Sequence, residues 1–288
     1  MKYVNLRSYT TASMDFGIFD YNGAIAKTQE NPEEYTPSFA VTEYNNMFSV
    51  IDFYKAAKNN FKPIIGVELS FAKESKHTVK MHEITGTRES EKIEYELYDN
   101  LMIAKNNDGY TNLCKLQTIF YKSKKHDRIP DSIALENKNL FKDVYVLSGG
   151  IGNNSFLTNK YKEILRIRDD KYKTIEQKQK EEQDVINKIK EHISFWQELT
   201  DNNYMIELQR EGREKENDYI KFILPITVEL AVPVVATNNT YFLNRDDFET
   251  HELFMAHKND YPVFQRGHGV IQPTVENYFK SNSEMTEL

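Results

Sequence analysis

The sequence holds one cysteine, Cys114, in 288 residues. That excludes an internal disulfide and any zinc site built on paired cysteines. Cys114 lies in Gly109-Tyr-Thr-Asn-Leu-Cys-Lys-Leu116, a helix-start pattern in which its role is packing. Long apolar runs are missing too: nowhere do about eighteen apolar residues follow one another, as a membrane-crossing helix requires. The region after Met1 carries no apolar stretch of signal-peptide type, so the chain reads as intracellular and cytoplasmic. Positive charge is in deficit. With 37 Lys and Arg against 44 Asp and Glu, the net charge is −7, which argues against a surface that grips nucleic acid generally. A local basic patch is not excluded.

What is present suits a soluble α/β protein. Hydrophobic residues make up 39% and charged residues 28%, enough for a sizeable core. Seven runs have strand character: Tyr3–Leu6, Phe39–Thr42, Pro63–Phe71, Leu101–Ala104, Val144–Leu147, Tyr204–Leu208 and Pro233–Thr237. Helices are expected between them. Asn46–Lys58 has Met47, Val50, Ile51 and Tyr54 on one face, and Thr111–Tyr121 has Leu113, Leu116 and Phe120. Tyr161–Leu199 is long and charged, with a stripe of Ile186, Ile189, Ile193 and Trp196. Asp218–Leu230 carries Ile220, Ile223 and Val228 and should kink or split at Pro225. Asp246–His257 opens on an Asp cap. Strand and helix in alternation predict a parallel sheet, and seven units predict a barrel. Thr28–Pro37 reads as a loop or broken helix, and His77–Asn100 as a hairpin or surface insertion.

In such folds chemistry is mounted at the carboxyl ends of the strands. The stretch Val232-Pro-Val-Val-Ala-Thr-Asn-Asn-Thr-Tyr-Phe242 shows the pattern, a buried run breaking into polar side chains. The ring of candidate positions is Arg7 and Tyr9, Glu43 and Tyr44, Glu68, Asn100, Gly149 and Gly150, then Asn239 and Tyr241. Glu207 either pairs with Arg210 or Arg213 or points inward at Arg7. His251 is a packed or exposed helical residue on the simplest reading. His77, His82, His126, His192 and His268 read as surface, and His257 fits no metalloprotease spacing. Gly149-Gly-Ile-Gly152 lacks the phosphate-loop pattern and reads as a tight turn, while Lys122-Ser-Lys-Lys-His-Asp-Arg128 reads as a solvated basic loop.

Several short motifs occur in a fixed order: Tyr3-Val-Asn-Leu-Arg7, Ser13-Met14, Ala40-Val-Thr-Glu-Tyr-Asn-Asn46, Lys62-Pro-Ile-Ile-Gly-Val-Glu68, Asn107-Asp-Gly-Tyr-Thr-Asn-Leu113, Leu147-Ser-Gly-Gly150 and Val234-Val-Ala-Thr-Asn238. In this order the chain resembles the amino-terminal domain of bacterial replicative DNA polymerase III alpha subunits, a member of the polymerase and histidinol phosphatase (PHP) superfamily. The resemblance runs the length of the chain. It implies a distorted seven-stranded (β/α) barrel over residues 1–288, with 77–100 as a surface insertion and 270–288 as the start of a connection to a polymerase core.

The resemblance also implies metal ligands at the strand ends, and here the chain departs from it. The family's opening His-x-His falls on Arg7 and Tyr9. Its Thr-Asp-His-Gly-Asn reads Thr42-Glu-Tyr-Asn-Asn46, and its Gly-Val-Glu is kept in Glu68. The His before the fourth strand is Asn100, the Cys or His after the fifth is a glycine, and the closing Asp-x-His is Asn239 and Tyr241. Metal sites need several imidazole or carboxylate donors, and Arg7 brings a permanent positive charge. The expectation is therefore a degenerate, metal-free site in which Arg7 pairs with Glu68 or Glu43, with no catalytic residue and no cofactor. The resemblance further implies a structural and docking part of a DNA-directed DNA polymerase in a bacterium or phage. Its partners are then the rest of the polymerase chain, a proofreading exonuclease subunit and, indirectly, DNA. Two other readings stand beside it. One is a metal-dependent phosphoesterase or 3′-exonuclease using weakly bound Mn, Zn or Mg on Glu43, Glu68, Glu207 and His251. The other is a stand-alone module that binds a replication protein.

Overall fold

The computed structural model describes residues 2–13, 16–57, 60–83, 86–123, 128–258 and 273–288. Of the histidines, the positions of His126 and His268 and the side chains of His77 and His82 lie outside the described residues, as does most of the basic run before Arg128.

A seven-stranded sheet runs in the order β1 (Ser38–Tyr44), β2 (Lys62–Glu83), β3 (Gly86–Ala104), β5 (Val144–Leu147), β6 (Tyr204–Leu208) and β7 (Val234–Ala236), with the short β4 (Ile129–Pro130) paired to β2. The sheet is mixed rather than parallel. β1–β2, β5–β6 and β6–β7 are parallel, but β3 is antiparallel to both β2 and β5. The cause is that β2 runs straight into β3 as one long hairpin, paired from Gly66↔Ile103 out to Glu83↔Gly86. The strand expected at Leu101–Ala104 is only its last part.

The strands curl without closing a barrel. Tyr3–Leu6 is not a strand. The segment from Asn5 to Tyr9 instead lies between the two edges, held by isolated bridges Asn5↔Phe39 on one side and Ser8↔Thr240 on the other. Thr240 N donates to Arg7 O at 3.1 Å and Tyr9 N donates to Thr240 O at 3.0 Å. This lacing fixes Arg7 and Tyr9 between the sheet edges.

Helices α1 (Tyr21–Glu30), α2 (Val50–Ala56), α3 (Asn107–Lys122), α4 (Asp131–Glu136), α5 (Phe156–Asp169), α6 (Ile175–Leu199), α7 (Glu216–Glu229), α8 (Phe248–Lys258) and α9 (Asn282–Glu287) complete the fold. The charged stretch expected as one long helix is two. A capping box, in which Thr174 accepts from Gln177 N and Gln177 returns the bond to Thr174 N, starts α6 afresh. Pro225 does not split α7, since it lies exposed inside one continuous helix. Ile51, Tyr54 and Val228 face solvent rather than the core; α2 buries Val50 and Phe53 instead. The cap before α8 is Asn244, reciprocated by Asp247, not Asp246.

The main core sits between the sheet and α3, α5, α6 and α7, around Phe71, Tyr98, Phe156 and Trp196. His192 belongs to it. It is buried, stacked on Phe156 at 4.0 Å and met edge-on by Tyr98 at 4.8 Å. A smaller aromatic cluster of Phe19, Phe39, Phe53, Phe61 and Phe279 packs beside β1. Each such large side chain contributes about 1.5–3 kcal/mol by leaving water.

Candidate functional site

Glu43, in register with Val67, faces the opposite side of β1 from Tyr44 and lies apart, whereas alternation along the strands turns Glu68 of β2 and Glu207 of β6 toward the laced amino-terminal segment. Arg7 is fully buried among them. Its Nε and Nη2 donate to the two oxygens of Glu207, both at 2.8 Å, a bidentate fork. Its Nη1 donates to Glu68 Oε1 at 2.7 Å and to the Tyr9 hydroxyl at 2.5 Å. Tyr9 in turn donates to Glu68 Oε2 at 2.7 Å. One guanidinium therefore bridges two carboxylates from different strands.

The oxygens of Glu207 also accept from Gly149 N at 2.6 Å and from Thr237 Oγ1 at 2.7 Å. Four donors meet a carboxylate with about four acceptor positions, so Glu207 is saturated. Gly149 adopts φ +74°, a left-handed conformation that glycine takes without strain, and this aims its N–H at the carboxylate. Burial works against the charge on Arg7, but Glu207 and then Glu68 outweigh it and hold its pKa well above the ordinary arginine value. Burial raises the Tyr9 phenol well above 10.0, keeping it a donor.

Glu43 does not meet Arg7. It accepts from Thr10 N at 3.1 Å, Thr10 Oγ1 at 2.5 Å, Ser49 Oγ at 2.5 Å and Ser13 Oγ. The pairing expected with either glutamate thus falls to Glu68 and to Glu207, whose inward alternative is the one realised. Tyr44 turns toward the hairpin, its hydroxyl 3.0 Å from Ser70 Oγ and 3.4 Å from Asp99. Burial, and next the charge of Glu68, push the Asp99 carboxyl up to about 7. Asn100 is buried, and its Nδ2 has no hydrogen-bond partner among the described residues.

At the last strand end Asn239 and Tyr241 part company. Asn239 joins an amide and carboxylate cluster: its N donates to Glu211 Oε1 at 2.7 Å, its side chain exchanges bonds with Asn153, and its Nδ2 also donates to Glu211 Oε2 at 3.3 Å and Gln209 Oε1 at 3.5 Å. Tyr241 packs against Tyr9 with ring centroids 5.2 Å apart and planes tilted by 33°, and stacks on His251 at 5.5 Å with the rings within 2° of parallel. His251 is buried, and its Nε2 lies 2.6 Å from Phe16 O. A carbonyl oxygen can only accept, so Nε2 carries the proton; burial lowers the pKa and keeps the ring neutral. Glu43 and His251 are thus each held by partners of their own, apart from the Arg7 bridge that joins Glu68 and Glu207. Among the described residues no group of three or more His, Cys, Asp or Glu is arranged to hold a metal ion.

Sequence reasoning missed Asn153, Gln209 and Glu211. The signal was available: Glu207, Gln209 and Glu211 alternate along and just beyond β6, the spacing that places them on one side. Asn153 follows the glycine turn and gave no signal.

A curled α/β sheet with a polar cluster at its strand ends defines a barrel-like class, and comparison with known families resolves it. The PHP domain model matches residues 28–211, and the chain belongs to that family. Over its full length it is 26% identical to the DNA polymerase III subunit alpha of Buchnera aphidicola, covering 21% of that protein. It is 27% identical to that of Vibrio cholerae, again along the whole chain and 21% of the relative. The Borreliella burgdorferi subunit is 26% identical, with 22% of its length covered. The chain therefore spans about a fifth of the length of these relatives. Among the described residues no helix is long and apolar enough to cross a membrane.

Proposed function

We propose that this chain is a metal-free PHP domain acting as the structural, amino-terminal part of a DNA polymerase III alpha-like replicative polymerase. The observation that carries the metal-free reading is the seat of Arg7 between Glu68 and Glu207. A divalent cation in that place needs converging, unoccupied donors. Here the two carboxylates are already bound to a guanidinium, which repels a cation. The donor set does not fit a metal, and no hydrolytic step runs through this site. Homology along the whole chain to named polymerase subunits supports the replication role.

In this reading the polymerase chemistry belongs to other parts of the parent protein. The domain supports them, contacts DNA only indirectly, and offers a surface to a proofreading exonuclease in the cytoplasm. The test is to incubate the purified chain with Mn²⁺ and Zn²⁺, remove free metal, and measure metal content together with phosphodiesterase and 3′-exonuclease activity. Substoichiometric metal and no activity are expected. Stoichiometric metal that disappears in Glu68→Ala refutes the reading.

A further inference from the structure

A groove of about 310 Å³ opens between α4, α6 and the part of β2 just beyond Phe71, and it shares no residue with the Arg7 cluster. His192 borders it from below, buried and with neither ring nitrogen hydrogen-bonded among the described residues. Leu135 of α4, exposed, and Phe195 of α6, half-buried, supply apolar walls. Charge of both signs lines the same space. Lys73 brings an ammonium and Asp131 and Glu74 bring carboxylates, yet among the described residues Lys73 forms no ion pair with either. Its Nζ lies instead 5.0 Å from the centre of the Phe156 ring. One oxygen of Asp131 accepts from the Tyr98 hydroxyl, and one oxygen of Glu74 accepts from Ser132 N at 3.2 Å. The second oxygen of each carboxylate has no hydrogen bond among the described residues. Opposite charges held in one small groove without meeting leave each open to its complement.

We propose that this groove binds a free amino acid with an apolar side chain. The ligand's ammonium meets the open oxygens of Asp131 and Glu74, its carboxylate meets the Lys73 ammonium, and its side chain lies between Leu135 and Phe195. A simple anion would face two carboxylates there, and a simple cation would face Lys73, whereas a zwitterion answers both signs. His192 only fills space in the free protein. As a neutral imidazole it has one donor and one acceptor nitrogen, and the ligand gives one of them a partner. The volume lies at the lower end of the range for small-molecule sites, which suits a ligand of this size.

The test is an amide NMR titration of the isotope-labelled full chain with L-leucine at about pH 8, where Asp131 is ionised. Saturable shifts at the residues lining the groove are expected. N-acetyl-leucine lacks the cation and leucinamide lacks the anion, so each should bind about tenfold more weakly or worse. Glycine, which lacks the side chain, should not saturate the site. Lys73→Gln should weaken L-leucine by about tenfold and erase its advantage over leucinamide. Leu135→Ser, at an exposed position where folding is retained, should weaken L-leucine but keep that advantage. Lys55→Glu, on the exposed side of α2, should change neither. The proposal is overturned by shifts that do not saturate or that fall outside the groove, by equal binding of L-leucine and leucinamide to wild type, or by a Leu135→Ser variant that binds L-leucine as wild type does.

Discussion

Two buried regions of this protein treat polar groups in opposite ways. Around Arg7 the interior holds full charges, and the donors and acceptors answer one another: Arg7 with Glu68 and Glu207, and Glu207 with Gly149 and Thr237. Around Trp196 the interior is aromatic, and His192 lies in it with neither ring nitrogen hydrogen-bonded among the described residues. Burial first, then the charges of Lys73 and Lys160, drive the His192 pKa well below 6.5, so the ring is neutral and acts as a flat apolar filler. The lesson is that buried polarity by itself does not mark a site. What distinguishes the strand-end cluster is that charges from separate elements converge and saturate one another.

The comparison can be broken most strongly at Arg7. Arg7→Met leaves Glu68 and Glu207 buried and uncompensated, and denaturant unfolding should show a loss of roughly 3–5 kcal/mol. Glu207→Gln should cost less, roughly 2–3 kcal/mol, because the amide is neutral and one oxygen still accepts. Glu68→Gln, with fewer donors and a position nearer solvent, should cost least of the three. A reversed order between Glu207 and Glu68 contradicts the saturation argument.

A smaller effect is expected at Asp131, whose carboxylate accepts from Tyr98 at 2.5 Å beside the aromatic core. Burial pushes its pKa from 3.8 up to about 7. A raised carboxyl favours the folded state while protonated and penalises it once ionised. Asp131→Asn should therefore gain stability over wild type as pH rises from about 4 to about 7, and hold that gain above. Thermal melts across this range would read it, and a difference that does not vary with pH counts against the buried-acid assignment.

The mildest change is His192→Phe, expected to alter stability by less than about 1 kcal/mol at pH 8. Below pH 6.5 the unfolded wild-type histidine takes up a proton that the folded one refuses. Wild type should then lose up to about 1.4 kcal/mol per pH unit relative to the variant. Parallel pH profiles for the two proteins would show that His192 has a partner after all.

Much of this was legible from residue pattern. Val144–Leu147 and Tyr204–Leu208 are strands with the expected ends, and Leu113, Leu116 and Phe120 do face the core from α3. The antiparallel β3 was hidden because period-two alternation is the same in either direction; only the long pairing with β2 sets it. Helix α1 was missed where its buried residues are only Ala24, Ile25 and Thr28. His192 read as surface because charged neighbours on α6 masked a position one turn from Trp196. At the site, the departure of Arg7 from a ligand pattern could be read, but its bidentate partner could not. Of the two glutamates expected to pair with Arg7, Glu68 does and Glu43 does not: β1 turns Glu43 to the other face, in register with Val67, where Thr10, Ser13 and Ser49 hold it.

The most direct test of the central claim is anomalous X-ray scattering from crystals of the chain grown or soaked with Mn²⁺. The account predicts no manganese peak between Glu68 and Glu207, with the Arg7 guanidinium bridging both carboxylates. A well-occupied ion coordinated by those carboxylates, with Arg7 swung away, would contradict it.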